Sequence, residues 1–135
     1  MCETIKADWN NKIAKDLQGH GTAIFVNFLI ANPDEQKKFT KFATVAADGL
    51  PGNSQLQAHA LVVMKKLGEI INAPDINAAT KDLAASHKTM NVLVPNFKKL
   101  FVVIVDYVVA KAGADRGTWT AALDAIAVAI GSQQG

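Results

Sequence analysis

Two histidines are the residues of this sequence best suited to chemistry near neutral pH. His59 stands in SQLQAHALVVMKKLGEII, and His87 follows 28 residues later in LAASHKTMNVL. An imidazole can ligate a metal, move a proton or donate a hydrogen bond in that range. Both histidines also fall on the inner side of apolar helical patterns. Leu56, Ala60, Val63, Leu67, Ile70 and Ile71 recur at helical spacing, and His59 lies one turn before Val63 at the edge of that stripe. Leu83 and His87 are likewise one turn apart, so His87 also points inward. Taken singly, each pattern fits a half-buried surface histidine with no further task. Two imidazoles bordering one space would mean more.

The elements that must position them are helical throughout. No stretch alternates with the two-residue period of a half-buried strand, so the expected class is all-α. An opening helix is expected over residues 4–17, where Ile5, Trp9, Ile13 and Leu17 follow one another at four-residue intervals, with GHG interrupting it. A second helix covers residues 20–31, and Asn32 with Pro33 forms the N-cap and first turn of a short third one. Phe39 and Phe42 come next, followed by the Gly- and Pro-punctuated loop ATVAADGLPGNSQ. Asn53 or Ser54 caps the His59 helix, which runs to about residue 71 and is stopped by Asn72 and Pro74. Asp75 opens the His87 helix, Pro95 a long apolar helix reaching about residue 111, and a final helix spans residues 118–130 with Trp119, Leu123, Ile126 and Ile130 on one stripe. His20 reads as a surface residue at a helix start.

Composition bounds the setting. The chain has 135 residues, half of them hydrophobic, which suits one domain with a real core over residues 1–135. Fourteen Lys and Arg against twelve Asp and Glu leave a formal net charge of +2, and the lysines are scattered. Nucleic acid is not an expected partner, because its electrostatic footprint is a concentrated basic stripe. The longest apolar run, LFVVIVDYVVA, is interrupted by Asp106 and is shorter than the ~20 residues a bilayer demands. Cys2 has no internal partner for a disulfide, and MCETIKADWNN carries charges where a secretory apolar segment would lie. These features point to an intracellular, cytoplasmic protein without a membrane span.

Order and spacing add a further layer. A small residue at a helix crossing, a proline, a phenylalanine six residues on, and two later histidines appear here as Gly21, Pro33, Phe39, His59 and His87. In that series the chain resembles the globins, and the resemblance extends from Trp9 in the first helix to the last helix. It implies a globin fold of about seven to eight helices around a pocket for haem b. His87 matches the proximal iron ligand, whose second ring nitrogen would meet the Leu83 carbonyl or the Ser86 hydroxyl. His59 matches the distal residue that donates a hydrogen bond to dioxygen.

The resemblance also assigns the walls. Phe39 would stack on the porphyrin and Phe42 close the same corner, while Phe25 and Val63 crowd the ligand side. Phe25 occupies a place where many globins have Leu. Leu83, Leu93, Phe97, Leu100 and Ile104 would line the proximal side and inner edge, with Val92 assigned there loosely, and Lys41 would pair with a haem propionate. On pattern alone the phenylalanines would equally suit an ordinary aromatic core. Further departures from the family are visible: HKTMNVLVPNF is about one residue shorter than in vertebrate globins, the connection before the last helix is also short, and Ala60 replaces a glycine often found after the distal histidine.

The implied function is reversible binding of dioxygen or another diatomic ligand for storage or transport, by a monomer or homo-oligomer, with no substrate converted. The alternative is a globin-type peroxidase using the same haem and His59, since PDEQKKF is similar to a segment of marine-worm globins with dehaloperoxidase activity. A haem-free helical interaction domain is the remaining possibility.

Overall fold

The computed structural model describes residues Met1–Gly135 as an assembly of α-helices without strands. Six helices are α1 (Glu3–Asp8), α2 (Leu17–Ala31), α4 (Ser54–Asn72), α5 (Ile76–Thr89), α6 (Val94–Ala112) and α7 (Arg116–Gln134), and α3 (Pro33–Gln36) is a single turn. The all-α expectation holds. No helix is long and apolar enough to cross a membrane.

Local chemistry accounts for most boundaries. The side chains of Asn53, Asp75 and Asp115 accept hydrogen bonds from the first-turn backbone N–H groups of α4, α5 and α7, the orphan donors that an N-cap satisfies. Gly113 ends α6 at φ 65°, a left-handed conformation that glycine adopts without a Cβ clash.

Three boundaries differ from the sequence expectation. GHG does not interrupt a helix. α2 begins at Leu17 and runs straight through it, because Asp16 accepts the Gly19 N–H at 3.0 Å and starts the helix three residues sooner. The opening helix changes character, passing into a wider π turn over Trp9–Ile13 and a 3-10 turn over Ala14–Asp16. Four-residue spacing overshoots an α-turn by about 40° per repeat, and a wider turn takes up that drift so that Ile5, Trp9 and Ile13 all remain buried. The last helix is also longer than residues 118–130, since Asp115 supplies its cap.

His20 is corrected with α2. Set within that helix, it is part-buried, and its Nδ1 lies 2.6 Å from the Tyr107 hydroxyl on α6. Asn32 precedes α3 but donates its side-chain N–H to the Phe28 carbonyl, thereby closing α2 instead of capping α3.

The helices pack in two regions. One core joins Trp9, Ile13, Met64, Leu67, Ile104, Val108, Trp119 and Ile130. The second joins Phe25, Phe28, Leu29, Phe42, Leu50, Leu56 and Ala60 under the corner between α3 and α4. α2 crosses α4 at Gly21, where an added Cβ would stand 2.6 Å from Met64 Cγ and 3.2 Å from the Ala60 carbonyl oxygen. That close approach fixes the height of α4, hence of His59. α5 packs on α7, and α6 spans the assembly between α2 and α7.

Candidate functional site

Between these helices lies a cavity of about 580 Å³, lined mainly by hydrophobic side chains. His59 from α4 and His87 from α5 both reach its wall, so the structure brings the two histidines into one space. Its size and apolar lining fall in the range of a small-molecule or cofactor site. A smaller hollow of about 190 Å³ between α6 and α7 is bordered by Lys98, Arg116, Thr120 and Asp124 and contains neither histidine.

The surroundings of His87 settle its tautomer. Nδ1 lies 2.8 Å from the Leu83 carbonyl oxygen and 3.2 Å from Ser86 Oγ. A carbonyl can only accept, so Nδ1 carries a proton, and in the neutral imidazole the lone pair is on Nε2. Nε2 is therefore the nitrogen able to ligate a metal. The Phe97 ring, 5.1 Å away centre to centre, restricts the imidazole further.

His59 is held by aromatic edges and faces. Phe25 lies 5.2 Å from it, Phe39 5.0 Å and Phe42 6.2 Å, centre to centre. Burial among these rings lowers its pKa below the ordinary 6.5, and repulsion from His87, whenever that ring is protonated, and from Lys41 lowers it further. The ring is accordingly neutral at physiological pH and keeps one N–H with which to donate a hydrogen bond.

Ten of the residues expected at the site from sequence line the cavity: Phe25, Phe39, His59, Val63, Leu83, Ser86, His87, Phe97, Leu100 and Ile104. Val92, placed loosely, is there as well. Three others are not. Phe42 is buried one layer back, stacked on Phe39 at 5.1 Å, so it supports the wall without forming it. Leu93 caps α6 from outside the cavity and is 38 % exposed. Lys41 is exposed and off the wall, where its charge is nonetheless felt at His59.

Several wall residues were not anticipated. Phe28 follows Phe25 by one helical turn, and Lys66 follows Val63 by one turn, so helical spacing contained the signal for both. Ile126 and Ile130 of α7 also line the cavity, although as sequence they read only as core. Glu35, Lys38 and Asn96 are polar members of the wall.

Comparison with known proteins bears on the family and the fold. The family profile described as Globin matches residues 22–130. The chain is 31% identical to a globin of Aequiyoldia eightsii over 98% of its own length and 95% of that protein's. It is 35% identical to the myoglobin of Cyprinus carpio over 88% of this chain and 82% of that one. Among solved structures, the hexa-coordinate haemoglobin of Drosophila melanogaster superposes with a TM-score of 0.86 at 25% identity, covering 95% of this chain and 89% of that one.

Proposed function

The chain belongs to the globin family, and from that premise we propose that residues 1–135 form one haem-binding domain that takes up dioxygen reversibly, for storage or transport, inside the cell. The observation that carries this reading is the His87 hydrogen bond to Leu83, which engages Nδ1 and leaves Nε2 as the ligating nitrogen of the neutral ring, in the wall of an apolar cavity that His59 also borders.

The residues fit haem on their own chemistry. No three His, Cys, Asp or Glu side chains converge as they would around a bare metal ion, whereas a single imidazole in an apolar cavity suits a metal whose other ligands come from a macrocycle. When bound, haem b supplies an iron with one coordination position for a diatomic ligand. His87 would hold that iron through Nε2. The Leu83 carbonyl fixes the ring's orientation and raises its basicity. Phe39, Leu100, Phe97 and Ile104 would exclude water from the macrocycle, and Phe25 and Val63 would limit the space for the ligand. His59 would donate its N–H to dioxygen. Lys38 and Lys66 stand on the cavity wall and are better placed than Lys41 to meet the propionates, at about 0–1 kcal/mol for such exposed pairs.

The chain is a carrier and not an enzyme. Its relatives are globins and myoglobins, and the His87 Nδ1 proton goes to a neutral carbonyl, where a peroxidase calls for a carboxylate that makes the proximal imidazole more anionic. An absorption spectrum of the reduced protein with and without oxygen tests the reading. A haem band that changes on oxygenation and returns on removal of the gas is expected. A protein that takes up haem yet oxidises at once on exposure to oxygen would refute reversible carriage.

A further inference from the structure

Glu35 is the only charged residue buried in the protein, 3 % exposed, and it sits on the cavity wall. Neither iron ligation nor ligand binding uses it. A carboxylate withdrawn from water is costly unless its oxygens are bonded, and here both are. Asn96 Nδ2 donates to Oε1 at 2.8 Å and to Oε2 at 3.3 Å, and Lys99 Nζ is 3.6 Å from Oε1.

Asn96 also lines the cavity, and its amide has one workable orientation. Its Oδ1 accepts the Leu93 N–H at 3.0 Å. A backbone N–H only donates and a carboxylate only accepts, so turning the amide over would lose both bonds. Leu93 ends the turn that leads out of α5. Within that turn the His87 carbonyl accepts the Val92 N–H at 2.8 Å, and Asn91 takes the left-handed value φ 58°. From α7, Gln134 Nε2 donates to the Val92 carbonyl at 3.0 Å. The turn after the iron-binding histidine is thus gripped from two sides, by Gln134 and by Glu35 through Asn96. Glu35 also ties it to the corner beside His59, because the next residue, Gln36, donates to the Phe42 and Val45 carbonyls at 2.9 and 2.8 Å.

We infer that Glu35 is a positioning residue for the His87 side of the pocket: through Asn96 it latches the turn between α5 and α6 to α3, and the closed latch retains haem. The inference rests on His87 being the iron ligand.

A polarity swap tests it. Asn96→Asp sets a second carboxylate against Glu35 and should open the latch. Adding Glu35→Gln restores it in reverse, since the introduced glutamine amide can donate to the introduced aspartate while that aspartate still accepts the Leu93 N–H. Transfer of haem to an excess of a scavenging apoprotein is followed by absorbance. The expected result is haem loss faster by about tenfold or more in Asn96→Asp, the scale of a lost bond to a charged group, and a return to within about threefold of wild type in the double variant. Unchanged haem loss in Asn96→Asp, or a double variant that loses haem as fast as Asn96→Asp alone, would overturn the inference. Should Asn96→Asp not fold, the double variant still decides, because only a latch predicts that adding a second substitution recovers folding and haem retention together. Failure of the underlying reading would look different: wild type would take up no haem, or His87→Ala would retain it.

Discussion

Replacing His59 by leucine tests the ligand side of the pocket. The imidazole is placed in advance by Phe25, Phe39 and Phe42, whose rings lie 5.0 to 6.2 Å from it, so little ordering remains to be done when a ligand arrives. It is also neutral, because burial first, then repulsion from His87 when protonated and from Lys41, lower its pKa. A hydrogen bond from such a donor to the partial negative charge of bound dioxygen is worth about 1.5–3 kcal/mol, which corresponds to oxygen dissociating roughly ten- to a hundredfold faster once the donor is gone. Leucine is similar in bulk and keeps the contacts with Phe25 and Phe39, so the change should appear in dissociation more than in association. Stopped-flow displacement of oxygen reads the rate directly. The same substitution has a stability signature. A histidine whose folded pKa lies below its unfolded value contributes no penalty above pH 6.5, and stability falls as pH drops below 6.5 because the unfolded chain binds the proton first. His59→Leu should flatten that acid loss. Oxygen dissociation within twofold of wild type at neutral pH would refute the hydrogen bond, and an unaltered acid slope would refute the burial argument.

Two further substitutions probe the scaffold. Gly21→Ala forces a Cβ to 2.6 Å from Met64 Cγ. Such overpacking costs about 1–3 kcal/mol against the ~1 kcal/mol regained by removing a helical glycine, so Tm should fall by a few degrees. An unchanged or higher Tm would show that the α2–α4 crossing has slack. The Tyr107 phenol is raised above its ordinary 10.0 by burial and by the Asp16 charge, so the folded chain keeps that proton longer than the unfolded one and stability declines as pH rises past 10. Tyr107→Phe should flatten the alkaline decline and lower Tm by the loss of the His20 bond, with a pH-stability curve as the measurement.

What was legible in the sequence follows from how each residue's signal is carried. His59 and His87 were readable because each sits in register with an apolar helical stripe and because their order relative to Gly21, Pro33 and Phe39 marks the family. The Leu83 and Ser86 partners of His87 were readable for the same reason, being fixed by helix geometry four residues and one residue away. Residues whose burial depends on how separate elements meet were not. Glu35 sits in PDEQKKF, a charged segment that reads as exposed, and is buried only because α3 turns it toward Asn96 on α6. Lys41 and Leu93 were expected at the wall, but each lies on an irregular segment flanking a helix, where no period fixes the direction of a side chain. The two glycines of GHG read as a helix break, whereas the single cap at Asp16 sets the start of α2.

On the proposed function, the His87 nitrogen left free by the Leu83 bond holds haem iron inside a cavity also bordered by His59. Titration of the purified apoprotein with haemin, followed at the Soret band for wild type and His87→Ala, tests it most directly. Wild type should saturate at one haem per chain, and His87→Ala should show a weak, shifted band and release its haem readily. Equal saturation and an identical spectrum in the two proteins would remove His87 from the iron and contradict the account.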